Sequence, residues 1–259
     1  MGGAADAGCH LVLDVDRRER AARRDARNSP AVNQLVIAIL WAIVGAAAGL
    51  GIRWGSVKLA RLEGLEPASK WWQRFGPPVL AAAVFAVYGY ELSSFAVLLV
   101  RSVFALVLVQ VVFFDFEHHL ILDRVMFPAM GLAVLVAILG KPYWPGGTIL
   151  DRGHELFGRP ILDAVIIGVV TGLVFLFLAL VGGAIFKAEA LGFGDVKLAT
   201  FMGLLMGWPY TFTAIFYGVV LAAFGALVFI VTHRSMRGTI AYGPYLAAGA
   251  LIVLLLLPV

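Results

Sequence analysis

Two aspartates stand where a long apolar run meets a polar stretch. Asp115 follows Phe113-Phe114 at the end of one run, and Asp195 follows Gly192-Phe193-Gly194 at the start of another. Charged groups at membrane depth are costly and are usually functional. Brought together, two carboxylates can share one proton, so that one acts as a base on water while the other acts as an acid toward a carbonyl. Such a pair titrates as a unit, and peptide-bond hydrolysis by it needs no metal. Gly192 and Gly194 suit this role, because glycine accepts positive φ and lets a backbone approach its partner closely. Each aspartate also has a plainer use. Asp195 can cap the helix that follows it, and Asp115 can be an interfacial carboxylate paired with Arg124 or Lys197. Spacing alone leaves these alternatives open.

The elements that must position the pair are long and apolar. Of 259 residues, 61% are hydrophobic and 14% charged, and the mean hydropathy is +0.94. A soluble domain is roughly half apolar and about a quarter charged. The composition therefore points to a bilayer as solvent, and runs this long and continuous cross it as helices rather than barrel strands. The expected fold is all-α, a polytopic transmembrane bundle of about eight spans. The spans are read at about 31–52, 77–90, 94–114, 125–140, 161–186, from the Gly192–Asp195 turn to an interruption at Pro209, 212–232 and 239–257. Residues 1–30 form a polar, arginine-rich tail, expected to be disordered, with no apolar stretch of the signal-peptide kind. Residues 31–93 hold the first two spans and a short basic loop. Residues 94–259 hold the remaining spans and both aspartates. No internal repeat is evident.

Charge gives an orientation. The loops after spans 1, 3, 5 and 7 carry about ten basic residues and those after spans 2, 4 and 6 about three, which puts the first set, and both aspartates, on the cytoplasmic side. The arginines of the tail oppose this, but the loop bias is distributed over the chain. The net charge of +4 sits in the tail and the loops, so no nucleic-acid partner is expected; the lipid bilayer is. A single cysteine, Cys9, excludes an intrachain disulfide and a cysteine-rich zinc site. His118 and His119 lie beside Asp115 and Glu117, yet adjacent histidines do not share a helix face and no zinc-protease spacing is present. No metal and no cofactor are expected. Arg101, inside the third span, either reaches the outer interface or pairs within the bundle. Gly45 and Gly49 form a GxxxG whose first use is close helix packing.

Three segments carry a resemblance. Asp115-Phe116-Glu117-His118-His119-Leu120-Ile121-Leu122-Asp123 resembles the first catalytic segment of type IV prepilin peptidases, in which an aspartate is followed by polar residues and an Ile/Leu-Pro-Asp/Asn ending. Gly192-Phe193-Gly194-Asp195-Val196-Lys197 resembles that family's GxGD segment, and Tyr242-Gly243-Pro244-Tyr245-Leu246-Ala247-Ala248-Gly249 is similar to its C-terminal Pro-Phe-Gly-Pro-x-Leu-x-x-Gly stretch. The resemblance runs from about residue 94 to the end. It implies a GxGD-type aspartic endopeptidase of the bacterial cytoplasmic membrane that removes the basic leader from prepilin-like substrates at the cytoplasmic boundary. Asp115 and Asp195 would be its catalytic pair, Gly192 and Gly194 would shape the turn, and Lys197 and Asp123 are family-typical neighbours with no assigned step.

Glu63, Glu66, Glu117 and Asp123 could attract the leader's basic residues. Two departures stand out. Leu122 replaces the usual proline, and the loop from Arg53 to Gly76 lacks the four zinc-linked cysteines of many bacterial members, so the second activity of those members, N-methylation of the cut pilin, does not carry over. Phe114-Asp115 differs from the Tyr-Asp of presenilin-like relatives. The rival readings are an ion-coupled transporter, with the aspartates as ion or proton ligands, and a non-catalytic subunit of a secretion apparatus.

Overall fold

Apolar runs surrounded by lipid can satisfy their backbone polar groups only within helices or closed barrels, and in a computed structural model this chain forms helices. Backbone is described for residues 4–66, 70–91, 94–143, 160–186, 191–233 and 241–256, and side chains within 33–66, 70–91, 94–139, 161–185, 191–231 and 241–256. Eight helices follow in order among the described residues: α1 (Ala4–Leu62), α2 (Trp71–Glu91), α3 (Phe95–His118), α4 (Asp123–Tyr143), α5 (Pro160–Phe186), α6 (Phe193–Met206), α7 (Tyr210–His233) and α8 (Gly243–Leu256). The all-helical bundle read from the sequence is therefore the fold. Helix α1 takes in the arginine-rich stretch as well as the first apolar run. Among the described residues, four segments are long and apolar enough to cross a bilayer: Asn33–Leu62, Phe95–His118, Ile161–Ile185 and Tyr210–Val231, with Gly243–Leu256 apolar but shorter. Most of the Gly/Pro-rich stretch at 141–160, together with Lys187, Arg234 and Arg237 among the basic residues counted above, lies outside the described residues.

Helix α3 is the centre. Two-thirds (67%) of its apolar stretch is buried inside the molecule, against 11% for α7 and 17% for α1. Phe104, Leu108 and Val109 of α3 are wholly enclosed, as are Leu198, Phe201 and Met202 of α6 and Leu246 and Leu254 of α8. Helices α1 and α2 pack on one flank of α3, α8 lies against it, and α5 and α7 form outer walls against α6 and α8. Lipid offers no hydrophobic drive for one apolar helix to leave it for another, so association rests on close van der Waals fit and interhelical hydrogen bonds. Glycine supplies the fit. A Cβ on Gly203 of α6 would lie 2.6 Å from the Cα of Gly168 in α5, and one on Gly45 would lie 2.6 Å from the Ala81 carbonyl oxygen. Gly49 sits as tightly on Pro78, so the GxxxG of α1 serves the α1–α2 contact.

Polar side chains add cross-links on the α1–α3 face: Trp41 Nε1 donates to Ser102 Oγ at 2.9 Å and Ser56 Oγ donates to Gln110 Oε1 at 3.0 Å. Arg101 is buried within the bundle. It is 2% exposed and lies in electrostatic contact with Tyr88, with Glu91 nearby.

The second span begins earlier than its prolines suggested. A proline in a helix removes an N–H and usually marks a first turn, yet α2 starts at Trp71 with Pro77 and Pro78 inside it. Two contacts make that start tenable. The Gln73 side chain accepts from the Lys70 backbone N–H at 3.2 Å, which is half of a capping box. The Gln73 carbonyl, deprived by Pro77 of its usual donor, accepts instead from Arg53 Nη1 of α1 at 3.3 Å.

Replacing Gly203 with Val should force α5 and α6 apart and cost about 3 kcal/mol, the upper part of the range for overpacking. Gly131→Ala, where a Cβ meets nothing within 4 Å, should be neutral. Thermal unfolding of the two purified variants beside the parent in detergent checks the contrast.

Candidate active site

The connections that follow α1, α3, α5 and α7 reach the same end of the bundle, and there they enclose a cavity of about 910 Å³. Each contributes lining. Glu63 comes after α1, His119 to Leu122 after α3, Leu191 and Gly192 after α5, and Ala241 and Tyr242 after α7. Asp115, Asp123, Arg124, Asp195 and Lys197 complete the wall. The alternation of spans read from the sequence, with odd-numbered loops on one side, requires this convergence.

Asp115 stands in the last turn of α3. That helix ends at His119, whose left-handed backbone (φ 51°, ψ 39°) turns its N–H back to the Asp115 carbonyl at 2.9 Å. The chain then crosses the cavity mouth to α4. Asp195 stands in the first turn of α6, where Gly192 occupies the cap position and the Asp195 N–H reaches the Gly192 carbonyl at 3.0 Å. The Asp195 carboxylate in turn accepts from the Gly192 backbone amide. Asp195 is thus not the cap itself; it is the third helical residue, leaning back on the cap as in a capping box. The two carboxylates are 5% and 8% exposed, line one cavity, and interact electrostatically with each other.

The cations that could have neutralised Asp115 are engaged elsewhere. Arg124 Nε lies 3.8 Å from Glu63 Oε1, and Lys197 Nζ pairs with Asp123 Oδ1. Lys197 and Asp123 thereby tie α6 to the start of α4 beside the aspartates. The acidic residues read as attractors divide. Glu63 lines the cavity; Glu66 is exposed and lies outside the lining. Glu117 turns toward α1, with Oε2 3.7 Å from Arg53 Nη1 and Oε1 3.4 Å from His118 Nε2. His118 packs its ring on Phe114 at 4.7 Å while His119 faces the cavity, so the adjacent histidines diverge.

Neither motif glycine has positive φ, and only Gly194 acts by proximity. Gly192 has extended backbone (φ −71°, ψ 147°), and among the described glycines only Gly64 and Gly207 have positive φ. A Cβ on Gly194 would lie 2.9 Å from the Ile121 Cβ, so the α3–α4 connection rests directly on the α6 backbone. One on Gly192 would meet Asp195 Oδ2 at an ordinary 3.6 Å.

Two residues beside the aspartates were not singled out from the sequence, although both lie in the third resembling segment. A Cβ on Gly243, the first residue of α8, would overlap Asp115 Oδ2; the bare backbone there is what admits the carboxylate. Tyr242, just before it, lines the cavity. Burial holds its hydroxyl above its ordinary range and the nearby Asp195 charge pushes the same way, so it stays protonated and can donate.

No curated protein and no solved structure matches the chain. The model of the type IV leader peptidase family matches residues 102–230. The matched stretch runs from the middle of α3 almost to the end of α7 and contains both buried carboxylates. By that match, made to the part of the chain that carries the aspartate pair, the chain belongs to the type IV leader peptidase family.

Proposed function

We propose that the protein is an aspartic endopeptidase that cuts the basic leader from type IV prepilin-like substrates, with Asp115 and Asp195 as its catalytic pair. The observation that carries this reading is that the two carboxylates line one cavity, with no cation paired to either among the described residues. In the proposed reaction the two hold one proton between them. The ionised member takes a proton from water, the resulting hydroxide attacks the scissile carbonyl carbon, and the protonated member gives its proton to the carbonyl oxygen. Collapse of the tetrahedral intermediate breaks the C–N bond, the proton taken from water goes to the leaving amine, and the proton lent to the carbonyl oxygen returns to the carboxylate that gave it, restoring the pair. The Gly192 amide that Asp195 accepts from would steady its orientation, with Tyr242 beside it in the cavity lining. The cavity would face the cytoplasm of a bacterial inner membrane. That orientation draws on the basic bias of the odd-numbered connections, the same connections that wall the cavity. The ion-coupled transporter and the non-catalytic subunit gain no support from a specific contact.

With purified protein and a prepilin-like substrate in detergent, Asp115→Asn and Asp195→Asn should each lower cleavage roughly a thousandfold or more while the protein still accumulates in the membrane. The double variant should be little worse than either, because groups acting as a unit are non-additive. Asp123→Asn should cost about tenfold at most, by loosening the tie to Lys197. Near-parental cleavage by Asp195→Asn would remove that residue from the pair.

The glycines supply a finer test in the same assay. Gly243→Ala and Gly194→Ala, which place a methyl against Asp115 and Ile121, should each lose more activity than Gly192→Ala, whose new methyl makes an ordinary contact. Equal losses in all three would mean that backbone flexibility, not proximity, is what the turn requires.

The cysteine-free segment from Arg53 to Gly76 should hold no zinc, and the cut product should remain unmethylated. Elemental analysis for stoichiometric zinc, and transfer of labelled methyl from S-adenosylmethionine to the cleaved substrate, check the two statements.

A further inference from the structure

A second concavity, of about 530 Å³, opens along the outer wall between α5 and α7. Its sides are Val174 and Leu178 of α5 and Phe212 and Val219 of α7, each about half exposed. Leu191 and Tyr242 close its end, and these two residues also line the cavity that holds the aspartates. The α5 lining repeats at three- and four-residue steps from Val170 to Ile185, which is one helix face. Fifteen steps at 1.5 Å make a track about 22 Å long, a large part of the roughly 30 Å hydrocarbon thickness.

We infer that this groove receives the apolar helix of the substrate, laid lengthwise between α5 and α7 so that the bond just before it enters the aspartate cavity past Leu191 and Tyr242. The inference rests on the leader-peptidase reading and assigns the part of the substrate that the cavity does not hold. Three features select this occupant. The groove is apolar along its length, so it fits a segment of hydrocarbon-soluble chain. It adjoins, across Leu191 and Tyr242, a polar cavity whose lining includes four carboxylates (Glu63, Asp115, Asp123, Asp195) beside Arg124 and Lys197, so polarity changes from one to the other as it does in a substrate whose basic leader precedes an apolar helix. Its two walls belong to α5 and α7, which pack on α6 and α8 rather than closing on each other. Lipid chains occupy such a groove when no substrate is present; the bound helix replaces them.

The test uses the whole membrane protein with two substrates. One is a prepilin-like protein with leader and helix; the other is a short peptide spanning the leader and the scissile bond without the helix. Val174→Trp and Val219→Trp fill the groove and touch neither aspartate. Each should raise KM for the helix-bearing substrate about tenfold or more, leave kcat for it close to parental, and leave cleavage of the short peptide unchanged. A second measurement does not depend on rate. In a Cys9→Ser background, which removes the single native cysteine, Val219→Cys should form a disulfide with a cysteine placed within the substrate's helix and not with one placed in its leader. Unchanged KM in both Trp variants, with no cross-link to the helix, overturns the inference and leaves the groove to lipid. A parental protein that cuts neither substrate overturns the leader-peptidase reading instead.

Discussion

A carboxylate taken out of water must recover its lost solvation from a cation, a hydrogen-bond donor or a proton. At the cavity end of this bundle cations are close at hand, but Arg124 pairs with Glu63 and Lys197 with Asp123. Among the described residues, what remains for Asp195 is the backbone amide at Gly192, and the two carboxylates share one cavity with Tyr242 in its wall. The surrounding structure answers to that requirement. The α6 helix begins where it does so that its first free amide meets Asp195. The backbone of α8 begins with glycine so that nothing displaces Asp115. The connection between α3 and α4 rests on Gly194 so that the two helix ends stay in register.

The outer architecture serves the same end by different means. Lipid gives no reason for apolar helices to leave it for one another, so the bundle is fixed by glycine contacts and a few buried hydrogen bonds. The α5–α6 contact at Gly168 and Gly203 holds the helix that bears Asp195. The α1–α3 bonds from Trp41 and Ser56 hold the helix that bears Asp115. Helix α7, by contrast, is exposed over most of its length.

Apolar runs announce spans directly, because hydrocarbon thickness sets their length; that is why the helices fall where composition put them. The aspartates were readable as charges at the ends of such runs, and the alternation of spans was enough to send them to one end. Three things were not readable. The donor that replaces the amide missing at Pro77 comes from Arg53, on a helix whose packing partner the sequence does not name. Gly192 and Gly194 suggested positive φ, whereas the demand on Gly194 is steric and depends on Ile121 lying across it. Glu117 looked like part of the acidic lining, but a helix turn places it on the side of α3 that faces Arg53. Gly243 could have been found: it was present in a segment already noticed for its resemblance, and only its contact with Asp115 was missing.

The cavity is walled by four connections drawn from the whole length of the chain, and the last of them, Ala241 and Tyr242 with Gly243 behind, arrives only with α8. During synthesis the helices emerge in order, and α3 carries Asp115 into the membrane long before α8 exists. Until that final hairpin folds back against α3, Asp115 lacks the backbone beside it and Asp195 lacks its tyrosine. A partly inserted chain therefore carries both aspartates without the wall that encloses them in the finished bundle.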